Sequence, residues 1–380
     1  MHRFKYILRQ RNKVVIKIGT NLLADKVKGI NLDRIDEIAR SVARLNALGN
    51  NIAIVSSGAI GAGVAALKLK ERPKTIPEKQ ATAAIGQPLL MEAYENAFRK
   101  QECIIAQILL TKDDFVNRAR YLNAKNTFPI LFEQGVVPII NENDTVAVEE
   151  IKLGDNDNLS AMVANLIEAD LLIILSDIDG LFSDDPVKNL EAELIPVVEK
   201  VTPQIEKLAK SSKTELSTGG MITKIQAAKR CVSAGIAMII ANGKNPGVLE
   251  EIFSGTFKGT LFLPEKNTLN MRKKWIGFVS AAKGYVRVDD GAKLALLKKN
   301  KSLLPSGIIE VHGEFKANET ISILDVSSKV IAKGVTRYSS TDLGKIKGKK
   351  TGEIERILNR KSHDEVIHRD NLVLIGETLC

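Results

Sequence analysis

Histidine is nearly missing from most of this chain. There are four, His2, His312, His363 and His368, and only His2 precedes Pro264. The first two-thirds therefore has no imidazole base outside its N-terminus, which removes Ser-His and Cys-His chemistry there. Cysteine is equally scarce. Cys103, Cys231 and Cys380 are odd in number and widely spaced, which argues against a disulfide framework or a zinc site and for reduced thiols. No apolar run approaches the roughly 18–20 residues that span a bilayer. Met1 to Lys13 is basic but lacks the apolar stretch of a secretory signal, so a cytoplasmic protein is expected, with no membrane partner. Aromatic residues are only 4% of the chain. Two nucleotide-binding signatures are also lacking. There is no Gly-x-x-x-x-Gly-Lys-Ser/Thr sequence, and Gly58, Gly61 and Gly63 have the wrong spacing for Gly-x-Gly-x-x-Gly.

What is present is an alternation of strands and helices. Short β-branched or apolar runs fall at Val14–Ile18, Ile52–Val55, Ile104–Leu110, Val136–Ile140, Leu171–Leu175 and Ile236–Ala241. Between them lie helical patterns. Leu32–Leu48 carries Ile35, Ile38, Val42 and Leu45 at helical spacing, with Asn31 or Asp33 as a cap and Gly49 as a stop. Asn158–Glu168 and Thr223–Ala234 read the same way. Continuous apolar strands alternating with helices predict an α/β fold, a mostly parallel sheet sandwiched between helices. The rhythm stops near Pro264, where a polar, basic stretch from 264 to 275 reads as a linker. Beyond it, Gly284–Val288, Gly307–Val311, Thr320–Leu324, Val330–Val335 and Leu372–Ile375 predict a small β-rich domain over 276–380. The net charge of +10 is uneven: Pro264 to Cys380 has 22 Lys and Arg against 14 Asp and Glu, while Met1 to Leu263 has 33 against 31. A basic module suits either a solvated surface or nucleic acid.

Ligands of parallel sheets bind beyond the carboxyl ends of the strands, and the polar motifs of this chain fall there. Lys17-Ile18-Gly19-Thr20 follows the first strand. Its glycine admits a ligand close to the backbone, and a lysine in a buried strand needs an anionic partner. Ser56-Ser57-Gly58 follows the second strand, as a close approach for a ligand or simply a tight turn. Asn141-Glu142-Asn143-Asp144 and Asp155-Asn156-Asp157-Asn158 together supply four carboxylates and four amides. Such a set recognises an amino acid, since carboxylates pair with ammonium and amide N–H groups bind carboxylate. A divalent-metal site, or polar turns with Asp157 as a helix cap, are the alternatives. Ser176-Asp177 lies after a later strand, where a nucleoside could sit. Thr218-Gly219-Gly220-Met221-Ile222-Thr223-Lys224 places two glycines before a helix and a lysine in its first turn. That charge is unfavourable at a helix N-terminus unless a polyphosphate is bound there.

Two lysines, a carboxylate and a glycine turn are the parts of a phosphoryl-transfer site. A hydroxyl acceptor usually wants a positioned base; a carboxylate acceptor, with pKa about 4, is already ionised. The missing histidine suits the latter.

Taken together, Asn-Glu-Asn-Asp, Gly-Asp-Asn-Asp-Asn-Leu-Ser-Ala and Thr-Gly-Gly-Met-x-Thr-Lys resemble the amino acid kinase family, with a kinase domain over 1–263 and a PUA-like domain at 276–380. The resemblance covers almost the whole chain. It implies ATP-dependent phosphorylation of the γ-carboxylate of L-glutamate to glutamyl 5-phosphate, the step that opens proline biosynthesis. It further implies that Lys17 and Lys224 neutralise the transferring group, that Asp157 orients them, and that Ser57, Asp144 and Asn156 bind glutamate. Lys17, Ser176 and Asp177, with Thr218, Gly219, Gly220, Met221, Ile222, Thr223 and Lys224, line the ATP site, and Mg2+ travels with the nucleotide without a protein ligand. Also implied are proline as a feedback inhibitor overlapping glutamate, a homo-oligomer (dimer or tetramer), and a glutamyl phosphate reductase that receives the product. PUA domains elsewhere bind RNA, a second reading for the basic tail; against it, Trp275, Phe278, Tyr285, Phe315 and Tyr338 are scattered rather than set for base stacking. The chain departs from the family pattern at Ser176, often Thr, and at Asn21, often Ser.

Overall fold

The computed structural model describes residues 13–25, 29–147, 156–211, 220–265, 282–299, 301–359 and 363–375. The chain divides into two compact units between Thr268 and Leu269. Most of the stretch expected as a linker lies outside the described residues.

The first unit is built on an eight-stranded sheet. Its strands are β1 (Lys13–Ile18), β2 (Asn51–Ser56), β3 (Ile105–Leu110), β4 (Val137–Glu142), β5 (Leu171–Ser176), β6 (Val197–Val198), β7 (Ala237–Asn242) and β8 (Gly259–Phe262). They lie in the order β3-β4-β2-β1-β5-β7-β8-β6. Every pairing is parallel except β7 with β8. The expected α/β sandwich is therefore present. The antiparallel β8 is an addition, because four residues beginning with a glycine carry too little pattern to separate a strand from a loop.

The main helices are α1 (Leu32–Ala47), α2 (Ala59–Ala66), α3 (Ile76–Arg99), α4 (Arg118–Glu133), α5 (Asn156–Leu166), α6 (Pro203–Ser211), α7 (Met221–Ser233) and α8 (Val248–Ser254). Asn31 caps α1, accepting a bond from the Arg34 N–H. A capping box of Thr75 and Glu78 starts α3. Helices α2 and α3 approach at backbone distance: a β-carbon on Gly86 would lie 1.8 Å from the Ala59 carbonyl oxygen, and one on Gly63 would lie 2.0 Å from that of Thr82. Strand alternation sorts β1 cleanly. Val14, Ile16 and Ile18 enter the core shared with α1 and α3, so Lys17 points to the opposite face.

In the second unit the strands are β9 (Gly284–Val288), β10 (Ile308–Gly313), β11 (Thr320–Leu324), β12 (Val330–Val335) and β13 (Leu372–Leu374), ordered β10-β9-β11-β12-β13. Each expected strand is found within a residue or two of its predicted bounds. Helices α9 (Asp290–Lys299), α10 (Ser340–Ile346) and α11 (Ile354–Leu358) complete the unit, and Phe315 and Tyr338 belong to its buried core. No described helix is long and apolar enough to cross a membrane.

Candidate active site

The carboxyl ends of the central strands are level. Ile18 of β1 is in register with Ser56 of β2 and Leu175 of β5, and Ser176 with Asn242 of β7. From β1 the chain builds one side of the sheet through β2, β3 and β4, then returns to the other side with β5. That reversal opens a crevice beside β1. Two backbone bonds lace the loops at its floor: Gly19 N–H to the Leu175 carbonyl at 3.1 Å and Ser57 N–H to that of Ile18 at 3.4 Å. A β-carbon on Gly19 would stand 3.3 Å from the same Leu175 oxygen, so the turn after β1 is closely fitted there.

At the centre stands Asp157, in the first turn of α5 and fully buried. Lys17 Nζ lies 2.7 Å from its Oδ1 and Lys224 Nζ 3.1 Å from its Oδ2. The Thr223 hydroxyl lies 2.9 Å from Oδ2 and 2.7 Å from the Gly220 carbonyl. Both lysines are themselves buried, at 6% and 4% exposure. Burial alone pushes the Asp157 carboxyl upward, but the charges of Lys17 and Lys224 outweigh it and hold the group well below the usual carboxylate range. Two ammonium groups and one carboxylate carry a net charge of +1 among themselves, and a low-dielectric setting magnifies their pull on an incoming anion. The helix-cap alternative for Asp157 is not what is seen: its carboxylate faces side chains of β1 and α7.

On the β2–β4 side the polar groups are amides. Asn156 Nδ2 donates to the Ser56 carbonyl and to Asn141 Oδ1, both at 2.9 Å. Asn141 Nδ2 donates to Gln87 Oε1 at 2.8 Å. The Ser56 hydroxyl pairs with Tyr94 at 2.9 Å. Ser57 follows at the start of the turn into α2, where Gly58 takes a φ of 114° that only glycine adopts without strain. Asp144 lies in the turn after β4. Burial pushes its carboxyl up to about 6, and it has no cationic partner among the described residues.

The β5 side presents Ser176 and Asp177. Asn21 Nδ2 donates to Asp177 Oδ2 at 2.9 Å, and the Ser176 hydroxyl lies 3.3 Å from Oδ1. Burial raises the Asp177 carboxyl, but the bond from Asn21 and its other partners outweigh that and lower it. Gly220 is the N-cap residue of α7, and Met221, Ile222, Thr223 and Lys224 form its first turn. Thr218 and Gly219 lie outside the described residues, as does Asp155.

The structure thus brings Lys17, Lys224, Asp157 and Thr223 into contact, with Ser57, Asn156 and Asp144 on one side of β1 and Ser176 and Asp177 on the other. Three further residues are tied into this arrangement. Asn141 belongs to the polar set that the sequence marks for amino-acid recognition, with no individual role marked for it. Asn21 stood out only as a departure, and it braces Asp177. Gln87 lies inside α3, where no spacing marks it.

Comparison with known proteins places these residues in context. Residues 12–242 match the model of the amino acid kinase family, and residues 284–358 match the PUA domain. A glutamate 5-kinase of Thermoanaerobacter sp. (strain X514) is 51% identical over 96% of this chain and 98% of its own length. Those of Moorella thermoacetica and Geobacter sulfurreducens are 47% and 48% identical, each over 97% of this chain and 98% and 99% of their own. A solved UMP kinase from Ureaplasma parvum is far more distant, at 17% identity and a TM-score of 0.47 over 67% of this chain and 99% of that one. The chain belongs to the amino acid kinase family, in its glutamate 5-kinase branch, with a PUA domain following the kinase domain.

Proposed function

We propose that this chain transfers the γ-phosphoryl group of ATP to the γ-carboxylate of L-glutamate, giving glutamyl 5-phosphate, the first step of proline biosynthesis. The observation that carries the reading is the pair of buried lysines on one buried aspartate at the switch point of the sheet. Charge in phosphoryl transfer spreads over the oxygens of the moving group, so catalysis is mainly alignment and electrostatic stabilisation. Lys17 and Lys224 supply two cations whose positions Asp157 fixes before the substrates arrive, so that little reorganisation is needed during the reaction. Thr223 ties the start of α7 to the same carboxylate. The acceptor needs no base, because a carboxylate is ionised at neutral pH.

Sides follow from charge. Asp144, a partly desolvated carboxylate with no cationic partner among the described residues, suits the ammonium of glutamate, with Asn156 and Ser57 on the same side of β1. Ser176 and Asp177, with residues 218–224, suit ATP, whose phosphates would meet the α7 N-terminus and Lys224. Among the described residues no cluster of three or more carboxylate, histidine or cysteine groups is placed to hold a metal, and Asp157 is committed to two ammonium groups. We assign Mg2+ to the nucleotide's phosphates. Proline as a competitor of glutamate, a dimer or tetramer, delivery of the acyl phosphate to a reductase, and a cytoplasmic location belong to the same proposal. So do the bounds of the parts, a kinase domain at 1–263, a linker at 264–275 and the PUA module from 276.

For that module a structural or regulatory role fits better than RNA binding. Phe315 and Tyr338 are buried, and Tyr285 is stacked on His312 with centroids 4.8 Å apart.

The test is acyl phosphate formation trapped as hydroxamate, comparing L-glutamate, N-acetylglutamate and L-aspartate, each with and without proline. Product from glutamate alone, suppressed by proline, is expected. Product from another acceptor only would keep the lysine roles and overturn the substrate.

A further inference from the structure

The amides on the β2–β4 side have a fixed direction, and its source is a single backbone carbonyl. A carbonyl can only accept, so the group that Asn156 presents to the Ser56 oxygen is its Nδ2. The second hydrogen of that nitrogen goes to Asn141, which must therefore offer Oδ1. Asn141 is left with Nδ2 toward α3, and Gln87 answers with Oε1. Each side chain's orientation follows from the one before, so the chain Ser56–Asn156–Asn141–Gln87 ends with Gln87 Nε2. That nitrogen carries two N–H donors, is buried, and has no acceptor among the described residues. Leaving donors in that state is costly in a folded protein.

Helix α3 supplies a second amide to the same region. Gln80, two turns before Gln87 and on the same face, donates from Nε2 to the Ala147 carbonyl at 3.2 Å. One face of α3 thus holds both ends of the 141–147 segment, which carries Asp144. Asp144 offers negative charge there, and Gln87 offers donors, the two complements of an α-amino acid.

We propose that Gln87 is a specificity-determining residue of the acceptor site. Through Asn141 it fixes the orientation of Asn156, and its Nε2 donors bind the α-carboxylate of the amino acid whose side-chain carboxylate is phosphorylated. The proposal rests on the acceptor reading given above.

Two near-isosteric variants separate the donor role from a merely structural one. Gln87→Glu keeps an oxygen to accept from Asn141, so the amide chain stays intact, but replaces the donors by an acceptor. Gln87→Met removes both functions. KM for glutamate, KM for ATP, kcat and the melting temperature are measured on the full chain, with wild type alongside. The expected result is a rise of tenfold or more in KM for glutamate in both variants, larger in Gln87→Glu through repulsion of the α-carboxylate. KM for ATP should stay within twofold, and Gln87→Glu should melt within a few degrees of wild type. A Gln87→Glu enzyme with wild-type KM for glutamate overturns the donor role, whatever Gln87→Met does. So does a variant that loses kcat while both KM values hold. Failure of wild type to form acyl phosphate from glutamate would instead overturn the acceptor reading, and the role of Gln87 with it.

Discussion

Asp157→Asn and the two lysine variants should fail in different ways, and the difference follows from the arrangement of charge. Each Lys–Asp contact, at 2.7 and 3.1 Å, is worth about 5–6 kcal/mol of gross Coulomb attraction at an effective dielectric of ~20. Most of that is offset by the cost of taking the ions out of water. In Lys17→Met, Asp157 keeps Lys224, and in Lys224→Met it keeps Lys17; no charge of the three is orphaned, and the change in stability should be small. Asp157→Asn leaves two buried ammonium groups facing a neutral amide. Removing one partner of a buried charge pair typically costs about 3–5 kcal/mol. Turnover sorts differently. Loss of one positioned charge stabiliser costs about 3–4 kcal/mol of transition-state energy, a drop of roughly a hundred- to a thousandfold in kcat. All three variants should therefore lose turnover by the hydroxamate assay, and only Asp157→Asn should also lose several kcal/mol in urea unfolding. Either lysine variant retaining kcat within threefold would refute its assigned role. Lysine variants as unstable as Asp157→Asn would refute the claim that the carboxylate is the element holding the cations together.

Other perturbations test the neighbouring parts. Asp144 has a raised carboxyl value of about 6, so it is charged above that pH and takes up a proton as pH falls through it. kcat/KM for glutamate should then fall about tenfold per pH unit below 6, and the bend should vanish in Asp144→Asn, whose kcat/KM is low throughout; a wild-type profile flat from pH 7 to 5 would remove Asp144 from ammonium binding. The same burial opposes folding with the group ionised, so stability gained from this residue grows as pH falls from above 6 toward 4, and Asp144→Asn should melt higher than wild type at pH 8. Gly86→Ala places a methyl 1.8 Å from the Ala59 carbonyl oxygen, a backbone clash that should cost about 1–3 kcal/mol or more; a variant as stable as wild type would mean that α2 and α3 part freely. Tyr94→Phe removes one of the two hydrogen bonds of the buried Ser56 hydroxyl, which keeps the Ser57 carbonyl at 3.0 Å, and should cost about 1 kcal/mol in urea unfolding, with KM for ATP unchanged.

How far the sequence alone reaches depends on whether a residue's role is set by its own segment or by distant ones. The sheet was legible because burial on both faces writes itself into a strand as an unbroken apolar run, as in Leu171–Ser176, all six residues buried. Lys17 was legible for the converse reason, since a charge inside such a run demands an explanation. Asp157 was half legible: its segment marked it as polar and near a helix start, which allowed a cap as readily as a clamp. Only the crossing of β1, α5 and α7 decides between them, because the two cations come from positions 17 and 224. Gln87 was illegible. A glutamine in a 24-residue helix satisfies every local rule whether it faces water or an amide chain. What distinguishes it is a partner on β4, itself oriented by a residue on α5, itself oriented by a carbonyl at the end of β2. Direction in that chain is inherited across three elements, and no short window of sequence contains Ser56, Gln87 and the two asparagines together. Residues whose chemistry is inherited in this way should be the ones most often overlooked in sites that otherwise announce themselves by motif.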